Sequence, residues 1–151
     1  MMKQQNQPHN PSPDAELLAA IYENASMAAD AITNVLPRAQ DGKQKLLMEK
    51  QLQGYQAAVN EAGKQLKGLS APVKENRLSK LGAKTGILLN TLTDSSPSKL
   101  AELMIQGTDM GVVDLTRALN KCPQASQGVK SEAEKLLKQE QNYIDDMKQF
   151  L

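Results

Sequence analysis

Glu140, Tyr143, Tyr55, Asn24 and Asp114 are the residues whose types and positions in this chain lend themselves to chemistry. Glu140 interrupts an apolar stripe, Leu136, Glu140, Tyr143, Met147, with steps of four, three and four. Asp114 falls on the apolar arc of a second segment, AELMIQGTDMGVVDLTRAL at residues 101–119, which also carries Gly107 and Gly111 one turn apart. Water does not reach a carboxylate on such a face, so the group needs hydrogen-bond partners, a ligand or a raised pKa. Three uses follow: a hydrogen-bonded layer that fixes helix register, a remnant metal or small-ligand site, or part of a groove for a partner. For Glu140 the layer is the first of these, and burial without a cation beside it is expected to raise its pKa.

Other reactive residue types are scarce. The single histidine, His9, lies in the polar stretch MMKQQNQPHNPSP and reads as a solvated tail residue. The single cysteine, Cys122, stands beside Pro123 and reads as a reduced loop thiol. One cysteine builds neither a disulfide framework nor a cysteine metal knuckle. A histidine-based triad has no histidine in the folded part, and no glycine-rich phosphate loop is present. The chain is therefore expected to be non-catalytic, with no catalytic residue, no metal and no cofactor.

The elements that must position these residues are helices. Leu, Ala, Gln, Lys, Glu and Met are abundant, all good helix formers, and no run of alternating Val, Ile and Thr suggests a strand. With 151 residues, no Trp, one Phe and three Tyr, the chain must build an aliphatic core in a single domain. Residues 1–12 read as a disordered polar tail and residues 13–151 as one helical domain. The net charge is +1, with charges interspersed, which leaves no electrostatic footprint for nucleic acid or an anionic membrane. No apolar run approaches the ~18 residues of a membrane span, and the N-terminus lacks a signal-peptide core. A cytoplasmic location is the corresponding expectation.

Helix one is expected to start at Ser12 as cap with Pro13 in the first turn, to bury Leu17, Ile21, Ala25, Ala28, Ile32 and Val35, and to stop at Pro37. Helix two starts at Asp41, with Gln44 as capping-box partner, and carries the heptad seam Met48, Leu52, Tyr55, Val59, Ala62, Leu66, Leu69 before Gly68 ends it. Helix three follows Pro72, with Leu78, Leu81, Thr85, Leu88 and Leu92 inward and Gly82 and Gly86 interrupting it. Helix four takes Ser96 as cap and Pro97 as first residue and runs to about Lys121. Helix five is capped by Ser126 and presents Val129, Ala133, Leu136, Glu140, Tyr143, Met147 and Phe150, with Leu151 packing at its end. Connections are short, so consecutive helices should lie antiparallel.

Folding helix five back on helix four about Pro123 sets Glu140 level with Gly107. Asp114 is then left about seven residues away, roughly 10 Å at ~1.5 Å per residue, so the two carboxylates do not pair. Folding helix two back about Ala39 sets Tyr55 level with Asn24. With the hairpin midpoints matched, Asn24, Tyr55, Glu140 and Tyr143 form a mid-bundle polar layer, and Gly107 makes room beside it.

This plan resembles the ferritin-like superfamily, in which two antiparallel helical hairpins carry functional residues at mid-bundle. Its di-iron members place a Glu on one helix of each hairpin and Glu-x-x-His on the other. Here Glu140-Gln-Asn-Tyr143 stands in the place of one such motif and Leu52-Gln-Gly-Tyr55 in the place of the other; the remaining ligand places fall near Asn24 and Gly107. Only Glu140 matches. The helix AELMIQGTDMG is similar to one in small ferritin-like proteins of Firmicutes. The resemblance implies an all-α antiparallel bundle of about five helices on a ferritin-like four-helix-bundle plan, without the di-iron motif. The function that follows is a structural or protein-interaction module, with a homo-oligomer or a protein as partner and neither nucleic acid nor membrane. Apolar residues outside the seams, Met27, Leu47 and Ile87, motivate self-association. The alternative is a metal- or small-molecule-binding protein with a remnant site built from Glu140, Tyr143, Tyr55, Asn24 and Asp114.

Overall fold

The computed structural model describes residues 11–71 and 92–151. These residues form four α-helices: α1 (Pro13–Val35), α2 (Gly42–Gly68), α3 (Pro97–Lys121) and α4 (Gln127–Lys148). A 3-10 turn, Leu36–Arg38, holds Pro37 between the first two, and no strand occurs among the described residues. The helix expected after Pro72, with Leu78, Leu81, Thr85, Leu88, Gly82, Gly86 and Ile87, lies outside the described residues, as does His9.

Each helix starts where a short polar side chain can satisfy a free backbone N–H. Ser12 accepts from Ala15 N at 3.1 Å, Asp41 from Gln44 N at 2.8 Å, Ser96 from Lys99 N at 3.3 Å and Ser126 from Val129 N at 3.4 Å. Helix α2 ends in a Schellman motif, in which Ala71 N donates to Leu66 O and Ser70 N to Lys67 O. The helix ends at Gly68, as expected, and the left-handed residue of the motif is Ser70, at φ 54°.

The helices pack with α1 against α2, α3 and α4, and with α4 also against α2 and α3. Their directions follow from hydrogen bonds at the ends. Ser126 N donates to Asp14 Oδ1, so α1 and α4 start at the same end of the bundle. At the opposite end Gln44 Nε2 donates to Pro97 O at 2.8 Å, so α2 and α3 start together. Helices α1 and α4 run one way, and α2 and α3 run the other. The turns joining α1 to α2 and α3 to α4 are short, as expected. Helix α2 stops at one end of the bundle, beside Glu132, and α3 starts at the other, where Arg38 Nη1 donates to Leu92 O at 2.9 Å.

The interior is aliphatic: Leu17, Leu18, Ile21, Ile32, Met48, Leu66, Leu100, Leu115, Leu136 and Met147 are buried in it. On α2 the buried line runs Gln44, Met48, Gln51, Tyr55, Ala62, Leu66, while Leu52 and Val59 are only half-buried. The expected seam is thus rotated toward Gln51. Gln44 does not complete a capping box, because its amide turns inward to Pro97. Leu47 is half-buried against the core. Leu151 does not pack: α4 stops at Lys148 and Leu151 is 66% exposed. No described helix is long and apolar enough to cross a membrane.

Candidate functional site

Mid-bundle, one side chain from each of α1 and α2 meets two from α4, against a bare stretch of α3. Glu140 and Tyr55 are each 1% exposed. The Tyr55 hydroxyl donates to Glu140 Oε1 at 3.2 Å across two helices. Asn24, half-buried on α1, lies within hydrogen-bonding reach of the same carboxyl and donates from Nδ2 to Gly111 O at 2.8 Å. The Tyr143 ring packs edge-on against Tyr55, centroids 5.3 Å apart. Four of the five residues singled out from sequence, Asn24, Tyr55, Glu140 and Tyr143, therefore converge.

The fifth, Asp114, does not join them. It is exposed and pairs with Arg117 on its own helix at 3.3 Å. The apolar arc expected to include it is rotated, and Leu115 is the buried residue of that turn. The glycine of the layer is also displaced by one turn. A Cβ at Gly107 would meet nothing within 4 Å, whereas one at Gly111 would stand 3.1 Å from Asn24 Nδ2 and 3.3 Å from Glu140 Oε1. The turn between α3 and α4, Cys122 to Ser126, is centred just past Pro123, which moves the residue opposite Glu140 later in α3 but accounts for only part of this shift.

Two features escaped the sequence reading. A Cβ at Gly54 would fall 2.1 Å from the Tyr143 hydroxyl, so this glycine vacates the space the phenol fills. Its only sequence signal is a glycine inside a regular helical stripe, where the residue costs about 1 kcal/mol relative to alanine. Gln44 and Gln51, at 0% and 1% exposure, extend the polar line along α2. Gln51 Nε2 points at Tyr143 O, at a long 3.5 Å. Glutamine is common on helix surfaces, so nothing in its type announced burial.

Burial dominates the electrostatics. It raises the Glu140 carboxyl from 4.5 to about 7, against the lowering effect of hydrogen bonds from Tyr55 and Asn24. The Tyr55 phenol is pushed up by burial and then by the Glu140 charge, and Tyr143 by the same two causes followed by Asp146. The Cys122 thiol, buried beside Glu16, is also raised, first by burial, which keeps it in the unreactive protonated form. Among the described residues, four buried side-chain oxygens lack a donor: Asn24 Oδ1, Gln44 Oε1, Gln51 Oε1 and Glu140 Oε2. Among the described residues no three His, Cys, Asp or Glu side chains gather in a metal-holding arrangement. What the layer offers chemically is one titrating carboxyl, two phenols and an amide.

Comparison of the chain with protein-family models, with curated proteins and with solved structures returned no match.

Proposed function

We propose that this chain is a non-catalytic helical bundle of ferritin-like plan, serving as a structural or protein-interaction module whose central polar layer sets helix register. The plan is supported by the directions of the helices: two antiparallel hairpins, with α1 parallel to α4 and α2 parallel to α3, the helix directions of ferritin-like folds. The observation that carries the functional reading is the seat of Tyr143. Its hydroxyl takes the volume a side chain at position 54 would need, and Tyr55 closes over Glu140 Oε1. Phenols thus fill the centre of the bundle where di-iron proteins of the ferritin-like plan gather imidazoles and carboxylates. The partner, a second copy or another protein, has exposed apolar side chains to dock on, among them Leu46, Met110 and Val113.

Metal analysis of protein produced with excess iron or manganese, alongside sedimentation at high micromolar concentration, tests this reading. Substoichiometric metal, unchanged in Glu140→Ala, is the expected outcome, together with a concentration-dependent mass. Stoichiometric metal that Glu140→Ala abolishes would overturn the layer's structural role. A strictly monomeric mass would remove self-association and leave a different protein as the partner.

A further inference from the structure

Helix α3 carries two stripes. Leu100, Ala101, Met104 and Leu115 are buried on the side that packs against the rest of the bundle. On the opposite side Leu103, Gln106, Met110, Val113, Arg117 and Asn120 recur at steps of three, four, three, four and three, the spacing of a coiled-coil seam. Leu103 is half-buried and the other five are exposed. Met110 is 64% exposed and Val113 49%, one turn apart at the middle of the seam. A side chain at Gly107, on the flank of this seam, would meet nothing within 4 Å. No packing inside the chain calls for that glycine, and its bare Cα lets a second backbone come close.

We propose that two copies of this chain pair α3 against α3, antiparallel, about a two-fold axis between Met110 and Val113. In an antiparallel pair the two kinds of seam position meet each other across the interface. Met110 of each copy then packs on Val113 of the other, Gln106 lies level with Arg117, and Leu103 with Asn120. Glu102 and Asp109 flank the seam on one side and stand four residues before and three residues after Gln106. Arg117 leans toward that side, so it falls between Glu102 and Asp109 of the second copy. Both are available to it. Asp109 makes no ion pair among the described residues, and Arg117 has only an exposed contact with Asp114 on its own helix, at 3.3 Å. Asp114 itself falls beside Gly107 of the second copy, where no charge opposes it.

The order of charges selects both the partner and the direction. In a parallel pair each seam residue meets its own copy, so Arg117 would oppose Arg117 and Asp109 would lie beside Asp114. Such like-charge contacts disfavour association. Reversal turns them into attraction, so the charge order of α3 is complementary to its own reverse. An unrelated protein would not require that order, and a second copy does. The seam from Leu103 to Asn120 is roughly 25 Å long at ~1.5 Å per residue, one helix pair at the small end of specific interfaces. The dimer is accordingly weak and fills only at high concentration.

This dimer rests on the reading of the chain as an interaction module, and the two fail separately. Sedimentation equilibrium of the full chain, from low micromolar to near-millimolar concentration, compares the wild type, Asp109→Lys, Arg117→Glu and an equimolar mixture of these two variants. Both positions are exposed, so neither change disturbs the core. Each variant alone sets like charges at both symmetry-related contacts and should dimerise about tenfold more weakly than the wild type. In the mixture each new charge meets its opposite, and the mixed dimer should recover most of that loss. Amide shifts that move on dilution should map to the outer stripe of α3. A wild type that stays monomeric near millimolar concentration overturns the dimer. So does an affinity that neither change alters, a mixture no tighter than its parts, or a set of moving shifts on another helix. A tighter dimer in Asp109→Lys would mark parallel packing and overturn the antiparallel face. Stoichiometric iron or manganese lost in Glu140→Ala would instead overturn the module, whatever the mass.

Discussion

Tyr143 is held by an absence. Its hydroxyl occupies the volume beside Gly54, and its ring leans edge-on against Tyr55. Adding one methyl at position 54 puts a carbon 2.1 Å from the phenol oxygen, a distance no real contact tolerates. The ring is wedged against Tyr55, so it cannot swing away freely. Gly54→Ala should therefore cost about 1–3 kcal/mol, in spite of alanine's better helix propensity. Removing the hydroxyl that collides should recover much of that loss. In a denaturant-melt cycle, Gly54→Ala with Tyr143→Phe is expected to be less harmful than the two single changes added together. Strict additivity would mean that the glycine serves some other purpose.

At the scale of the helices, the two glycines of α3 have opposite roles. Gly107 faces open space and Gly111 faces Asn24 and Glu140. Gly107→Ala should stabilise the chain by roughly 0.5–1 kcal/mol, the helix-propensity difference alone. Gly111→Ala should destabilise it by about 1–3 kcal/mol, because the methyl enters a gap already at 3.1 Å. Thermal melts of the two variants, moving in opposite directions, check the assignment. Sequence spacing had put the open glycine in the layer, and the physical reason lies in what is local and what is not. Starts of helices were legible because capping is local: Ser12, Asp41, Ser96 and Ser126 each bond three residues ahead. The pairing of Glu140 with Tyr55 was legible because both sit at the centres of long stripes. Whether Gly107 or Gly111 opposes them depends on where the chain reverses after Cys122 and on how the helices pack, and each residue of error in the reversal shifts the facing residue by two. Asp114 was misplaced by a smaller rotation, enough to exchange it with Leu115 at the core edge. Buried Gln44 and Gln51 were illegible because burial of an amide depends on partners supplied by other helices, Pro97 and Tyr143.

Across the whole molecule, α1 is the shared member: it packs on every other described helix, Asp14 and Asn24 tie it to the rest at its start and middle, and Arg38, in the 3-10 turn that follows it, does so at the other end. Neither hairpin keeps its apolar face covered without the other, so the chain should unfold in one transition. The three tyrosines, on α1, α2 and α4, make this easy to check. Tyrosine fluorescence and far-ultraviolet dichroism should give coincident midpoints in urea, and a separated tyrosine transition would show the layer melting on its own. The polar layer also sets a sequence in time. Its bonds join residues far apart in the chain, Tyr55 to Glu140 over 85 positions and Asn24 to Gly111 over 87. The α1–α2 and α3–α4 hairpins close over short turns, whereas these ties must wait for the two halves to meet. Loss of a tie should accordingly leave the folding rate nearly unchanged and speed unfolding. Stopped-flow chevrons of Asn24→Leu whose folding limb coincides with that of the wild type while the unfolding limb is raised would mark Glu140 and its partners as the last groups to lock, and so as the groups that govern how long the assembled bundle survives.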